Sequence, residues 1–214
     1  MKLYSVDRSP FGSRVRAAIE FKGLSVQMLG APEGGLKGPD YLALNPLGKL
    51  PTLLTDDGRA LPESQVILDY LEDIAPTPSL YPGDAADRAM ARLIPRIADL
   101  YLLTALFELF AHLNPAGRDE AAVTAIFAKF GAALGHIEHY LAPDGYAVGA
   151  GFSAADCALA PALFWVDTMN RRLGQTAPGA RPKLAAYWTM ATGHALFGPL
   201  IRDMGTDLAT VLPG

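Results

Sequence analysis

With 214 residues, half of them apolar and 19% charged, the chain can fill one large core or two small ones and does not have the composition of a disordered segment. A formal net charge of −4 excludes the basic face of a nucleic-acid binder, and a single cysteine, Cys157, excludes an internal disulfide, which fits a reducing, cytoplasmic setting. No basic region followed by an apolar stretch opens the chain, and the greasiest segment, 93–113, is interrupted by Pro95, Arg96, Asp99, Glu108 and His112, so neither a secretory signal nor a membrane span is expected.

Residues 2–6 and 26–29 read as short strands on either side of a helix over 13–22, where Val15, Ala18 and Ile19 share a face and Gly23 stops the helix. Strand, helix, strand at this spacing predicts a βαβ unit with parallel strands. Residues 52–55 and 59–61 flank an Asp-Gly turn and predict an antiparallel hairpin. A helix follows from Ser64, with Ile67, Tyr70, Leu71 and Ile74 at three- and four-residue spacing. This βαβ/ββα order is that of a thioredoxin-like domain over 1–76. Pro76, Pro78, Pro82 and Gly83 make 77–84 a linker. Helices are expected over 85–112 (kinked at Pro95), 119–141, 153–172 and 182–191, so that 85–214 form an all-helical second domain.

Four local patterns carry chemistry. The first is Ser9-Pro10-Phe11-Gly12-Ser13-Arg14-Val15-Arg16, where a strand end meets a helix N-terminus. A hydroxyl there faces positive helix-end potential, which favours a bound thiolate; the alternative is that Ser9 caps the helix with Pro10 in its first turn. The absence of a Cys-x-x-Cys excludes dithiol chemistry. The second is Asn45-Pro46-Leu47-Gly48-Lys49-Leu50-Pro51. A cis bond before Pro51 would turn the Leu50 backbone outward to pair with an extended peptide, whereas a trans bond would make Pro51 an ordinary edge residue. The third is Glu63-Ser64, which suits the ammonium and carboxylate of a free amino-acid end, or else forms a helix cap with an acidic neighbour. The fourth, Ser153 to Asp156, reads as a capping box.

In this order the four patterns resemble the cytosolic glutathione transferases of the serine type, over nearly the whole chain. Residues 9–16 are similar to the tau class, and Leu3-Tyr4-Ser5 with Ser9 and Arg14-Val15-Arg16 is similar to the zeta class. The resemblance implies glutathione as co-substrate, with Ser9 donating to its sulfur and Leu50-Pro51 pairing with the cysteinyl backbone. It also implies Glu63 and Ser64 at the γ-glutamyl end, Lys37 toward the glycine carboxylate, and Phe11 and Lys49 nearby. Tyr4 is the reserve thiol donor. The implied reaction is thiolate attack on a small, largely apolar electrophile, as in detoxification, by a homodimer. A zeta-like glutathione-dependent isomerase or dehalogenase and a non-catalytic glutathione-fold binding protein are the alternatives. Thr168 stands where zeta enzymes place an arginine, with Arg171 a turn later, which argues against the isomerase. Tyr101 and Phe107, with Phe110, are candidates for the second-substrate pocket or plain core. His136 and His139, with Glu138 between them, lack a third ligand, so no metal is expected; Cys157 is expected in the core.

Overall fold

The computed structural model describes residues 1–143, 145–176 and 179–212. Two compact units emerge, one formed by residues 1–80 together with 194–214 and the other by 81–193.

In the first unit, β1 (Lys2–Tyr4), α1 (Pro10–Phe21) and β2 (Gln27–Leu29) make the expected βαβ element, with β1 and β2 parallel. A short helix that the sequence reading missed, α2 (Pro39–Leu44), precedes the antiparallel hairpin β3 (Thr52–Leu54) and β4 (Ala60–Pro62), and α3 (Ser64–Ile74) follows. The four strands run in the order β2-β1-β3-β4. Each strand is three residues long, shorter than its hydrophobic run, because Val6, Val26, Thr55 and Arg59 lie beyond the ladder. The pleat sends Leu3 and its partner Leu53 into the core, where α1 packs on α3, and leaves Tyr4 and its partner Thr52 on the opposite face with α2. Gly12 is what lets α1 approach β1 so closely, since a Cβ there would lie 2.1 Å from the Ser5 Oγ.

The C-terminal end of α1 is anchored by a lysine. Lys22 is buried; its Nζ donates to the Glu72 carboxylate at 2.7 Å, to the Ala75 carbonyl at 2.5 Å and to the Pro78 carbonyl at 2.9 Å. The same carboxylate accepts from the Ser79 hydroxyl and the Leu80 N–H. Burial works to raise the Glu72 carboxyl, but these hydrogen bonds outweigh it and hold the group below its ordinary value. The segment expected to act as a plain linker is therefore tied back onto α1 and α3 for half its length.

In the second unit α4 (Ala85–Ile97) runs through Pro95 and gives way to a π-helical segment, Ala98–Leu103, before α5 (Thr104–Leu109). The single kinked helix expected over 85–112 is thus a succession of three helical forms ending in a 3₁₀ turn, Phe110–His112. Helices α6 (Glu120–Tyr140), α7 (Ala154–Leu173) and α8 (Pro182–Gly193) complete the unit. The capping box that opens α7 is present: Asp156 accepts from the Ser153 N–H at 2.9 Å, the Ser153 hydroxyl at 2.8 Å and the Ala147 N–H at 2.8 Å. Burial pushes the Asp156 carboxyl up to about 6, against the pull of these bonds. Cys157 is buried beside it, as expected. Glu138 accepts from the Lys183 and Leu184 N–H groups at the start of α8, and the Lys183 Nζ donates to the Leu141 carbonyl at the end of α6, so each helix caps the other.

A last helix, α9 (Phe197–Val211), was not expected, and it packs on α1 within the first unit. Arg8 pairs with Asp207 at 2.9 Å, and Arg16 bridges Asp7 and Asp203. Where the sequence groups 85–214 together, the contacts place residues from 194 onward with the N-terminal unit, and acids of α9 pair with Arg8 before α1 and Arg16 within it. Among the described residues no helix is long and apolar enough to cross a membrane.

Lys22→Met should lower stability by about 1–3 kcal/mol, the cost of taking a buried donor from the Ala75 and Pro78 carbonyls and from a half-buried carboxylate that keeps its Ser79 and Leu80 donors, as read by urea unfolding at neutral pH. The Glu72 contribution has a definite sign. Its folded pKa lies below the ordinary 4.5, so its stabilisation is complete above that value and disappears as pH falls through the folded one. The difference in stability between wild type and Glu72→Gln should therefore shrink on acidification below about pH 4.5.

Candidate glutathione site

Strand pairing brings three of the predicted segments to one edge of the sheet, the one formed by strand ends. Tyr4, at the end of β1, lies opposite Thr52, which opens β3, and Thr52 lies opposite Pro62, which closes β4. The chain leaving β1 toward Ser9, the loop entering β3 through Lys49, Leu50 and Pro51, and the step from β4 to Glu63 and Ser64 therefore all begin at that edge.

Ser9 is the N-cap of α1, its Oγ accepting from the Gly12 N–H at 3.1 Å. The cap reading is thus realised, and it does not compete with the other one. The bond uses an oxygen lone pair, and a serine hydroxyl has one proton to donate besides. Ser9 is half-buried. The uncompensated positive end of α1 lies behind it.

The Leu50–Pro51 bond is cis. The loop before it is clamped from within: the Lys49 carbonyl accepts from the Tyr41 hydroxyl at 2.8 Å and from Asn45 Nδ2 at 3.0 Å, while Asn45 Oδ1 accepts from the Leu47 N–H at 3.0 Å. Asn45 is fully buried, and its amide also donates to Thr52 Oγ1 at 2.8 Å. Leu50 is half-buried, and among the described residues no hydrogen bond engages its N–H or carbonyl. The Lys37 Nζ reaches the same loop, 3.5 Å from the Leu47 carbonyl, and the Lys49 side chain is exposed.

Ser64 departs from its expected role as a cap. It is the first residue of α3 and is buried; the N-cap position belongs to Glu63, which makes no side-chain cap bond. The Ser64 hydroxyl instead accepts from Arg14 NH1 at 3.1 Å. Arg14 is wholly buried, and its guanidinium stands 5.4 Å from the centre of the Phe11 ring. One buried cation thus ties Phe11 of α1 to the N-terminus of α3. Glu63 is exposed with φ +67° and ψ +110°, the one positive φ outside glycine among the described residues. Such a backbone costs about 1–3 kcal/mol and persists where the surroundings impose it, commonly beside a ligand. The residues that sequence reasoning missed are Arg14, Tyr41 and Asn45 as positioning groups. Arg14 had a legible signal, since it precedes Ala18 by four residues on the apolar face of α1.

Tyr4 turns to the α2 face and meets the Tyr41 ring edge-on at 5.6 Å. In the second unit, Tyr101 lies against His136 at 6.2 Å between ring centres and lines a groove of about 260 Å³. Phe107 is not part of that lining; it packs on Phe110, which in turn meets Trp165. Both Tyr101 and Phe107 are exposed, so neither is plain core. His139 packs on Tyr140, Glu138 is spent on capping α8, and among the described residues no three His, Cys, Asp or Glu side chains come together to hold a metal. Thr168 is buried, and Arg171 pairs with Asp167 at 2.8 Å.

Comparison with known proteins gives the same arrangement a family. Residues 3–79 match the glutathione S-transferase N-terminal domain and residues 120–187 its C-terminal domain. A maleylacetoacetate isomerase from Pseudomonas aeruginosa is 33% identical over 92% of this chain and 93% of its own. The chain belongs to the glutathione S-transferase family. Glutathione S-transferase 3 of Zea mays is 30% identical over 92% of this chain and 91% of its own. Among solved structures, a sphingomonad glutathione S-transferase complexed with glutathione superposes with a TM-score of 0.75 at 27% identity, covering 96% of this chain and 99% of that one.

The backbone at Glu63 makes a prediction independent of ligand. Glu63→Gly should be more stable than Glu63→Ala by about 1–2 kcal/mol, because only glycine relaxes at this φ. Parallel thermal melts of the two variants check it; equal stabilities would show the backbone to be unstrained.

Proposed function

We propose that this protein is a glutathione transferase that binds glutathione along the Ser9, Leu50 and Glu63 edge and presents its sulfur as a thiolate to a small, largely apolar electrophile. The observation that carries the proposal is the convergence of these three segments at one sheet edge, in a chain whose family relatives include an enzyme solved with glutathione bound. The Leu50 backbone is open to pair with the cysteinyl peptide unit. Glu63 and Ser64, at the start of α3, suit the γ-glutamyl ammonium and carboxylate. Lys37 and Lys49 supply positive charge for the glycine carboxylate, and Ser9 donates to the sulfur. Phe11 contributes through its stack on Arg14.

A free thiol has a pKa of roughly 8.5, so only a few per cent is ionised at neutral pH. Lowering it by about two units makes the thiolate the majority form, a difference of about 3 kcal/mol. A serine donor and the α1 dipole act on the charged sulfur in that direction. Tyr101 and Phe107 remain candidates for contact with the second substrate, the homodimer is the assembly usual in the family, and a cytoplasmic setting suits the lone buried cysteine. A second reading is glutathione-dependent isomerisation. It is favoured by the P. aeruginosa maleylacetoacetate isomerase, which matches nearly the whole chain; it is opposed by Thr168 and by an Arg171 already engaged with Asp167. The same thiolate serves both reactions.

Ser9→Ala separates capping from chemistry. Loss of the cap costs about 0.5–2 kcal/mol of stability. Loss of the sulfur donor should in addition raise the pKa of enzyme-bound glutathione, followed by thiolate absorbance, and slow turnover by about tenfold to a thousandfold. A lower melting temperature with an unchanged thiol pKa would leave Ser9 a cap alone. Glu63→Ala should raise KM for glutathione more than it lowers kcat, since its contact is remote from the sulfur and equal in ground and transition states. Maleylacetoacetate and an aryl halide as parallel substrates would distinguish the two readings.

A further inference from the structure

The α2 face of the sheet holds a cavity that the reaction does not use. It has a volume of about 430 Å³, within the ordinary size range for small-molecule sites. Tyr4, half-buried, supplies its aromatic surface, with Tyr41 buried behind that ring and edge-on to it, and Leu29 and Leu44 supply aliphatic surface. Tyr41 is held rigidly, its hydroxyl bonded to the Lys49 carbonyl and to Thr52. The only charged side chains in the lining are acidic, Glu33 and Asp40. Neither carboxylate has an ion-pair partner among the described residues. An anion such as glutathione, with two carboxylates, would be repelled here.

We propose that this cavity binds a small organic cation, an ammonium group carried on an apolar or aromatic body. The body would lie against the Tyr4 ring and the two leucines, with the ammonium between Glu33 and Asp40. Aromatic faces attract cations through their quadrupole, and each carboxylate adds Coulomb attraction, so charge and apolar body are recognised together. The site takes Tyr4, the reserve thiol donor of the sequence, and gives its ring a different partner. It does not rest on the glutathione proposal, because none of its ligand-facing groups, Tyr4, Glu33 and Asp40, is among those assigned to glutathione.

The probe is phenethylammonium, with 2-phenylethanol as a neutral analogue of the same shape, titrated into isotopically labelled protein and followed by amide chemical shifts. The expected result is saturable shifts at Gly30, Glu33 and Tyr41 with an affinity on the order of a millimolar, no saturation by 2-phenylethanol, and affinity weaker by about tenfold or more in the Glu33→Gln/Asp40→Asn double variant. Both substituted side chains are exposed, and the variant's own spectrum reports its fold. Undiminished binding by a folded double variant, equal binding of the neutral analogue, or displacement of the cation by glutathione would each overturn the proposal. Glutathione titrated into the same samples tests the other site separately: cation binding that survives where glutathione fails to bind sinks the transferase reading and leaves this one standing.

Discussion

The buried hydrogen bond from Arg14 to Ser64 is the constraint around which the N-terminal unit is organised. Removing a guanidinium from water is expensive, and the cost is tolerable only with directional partners for its donors. Among its contacts are a hydrogen bond to the first residue of α3 and the ring of Phe11 at the start of α1. Because the cation cannot drift without losing them, the two helix N-termini are fixed with respect to each other. Each carries partial positive charge, and Arg14 adds a full one behind them. An anionic peptide meeting this corner finds the potential already in place, with little reorganisation left to its arrival.

A second rigid element works on the backbone. The Lys49 carbonyl is held by Tyr41 and Asn45, so the residues that follow it, Leu50 and Pro51, inherit a defined direction. Tyr41 belongs both to this clamp and to the wall of the acidic cavity on the α2 face. One phenol therefore has its hydroxyl committed to the loop and its ring to backing Tyr4, and the two sites lean on one residue without sharing a ligand chemistry.

Most of the N-terminal unit was legible because its signals are local, the short runs around the Asp-Gly turn and the apolar face of α1, and in the second unit the Ser-x-x-Asp capping box was legible for the same reason. What escaped notice depended on distant partners. Helix α2 has only six residues and too little periodicity to announce itself. The π-helical segment after Pro95 is only six residues long, so its wider turn alters the hydrophobic period over too short a stretch to be told from a continuous helix in sequence. Ser64 looked like a cap because serine commonly is one; only the position of Arg14, fifty residues earlier, turns its hydroxyl inward. Of the site, the residue types and their order could be read directly, whereas the groups that aim them could not.

The pairing of α9 with α1 has a consequence for how the molecule is made. The unit bearing the candidate site is not one continuous stretch of chain: its sheet is synthesised first, and the helix whose acids meet Arg8 and Arg16 comes at 197–211, after the whole of the second unit. On a ribosome that sheet must wait, with the α1 surface uncovered, while more than a hundred residues of helical domain emerge and fold. The later unit is thus free to mature before the earlier one is complete. A nascent chain stalled before α9 would display a finished helical domain beside an unfinished site.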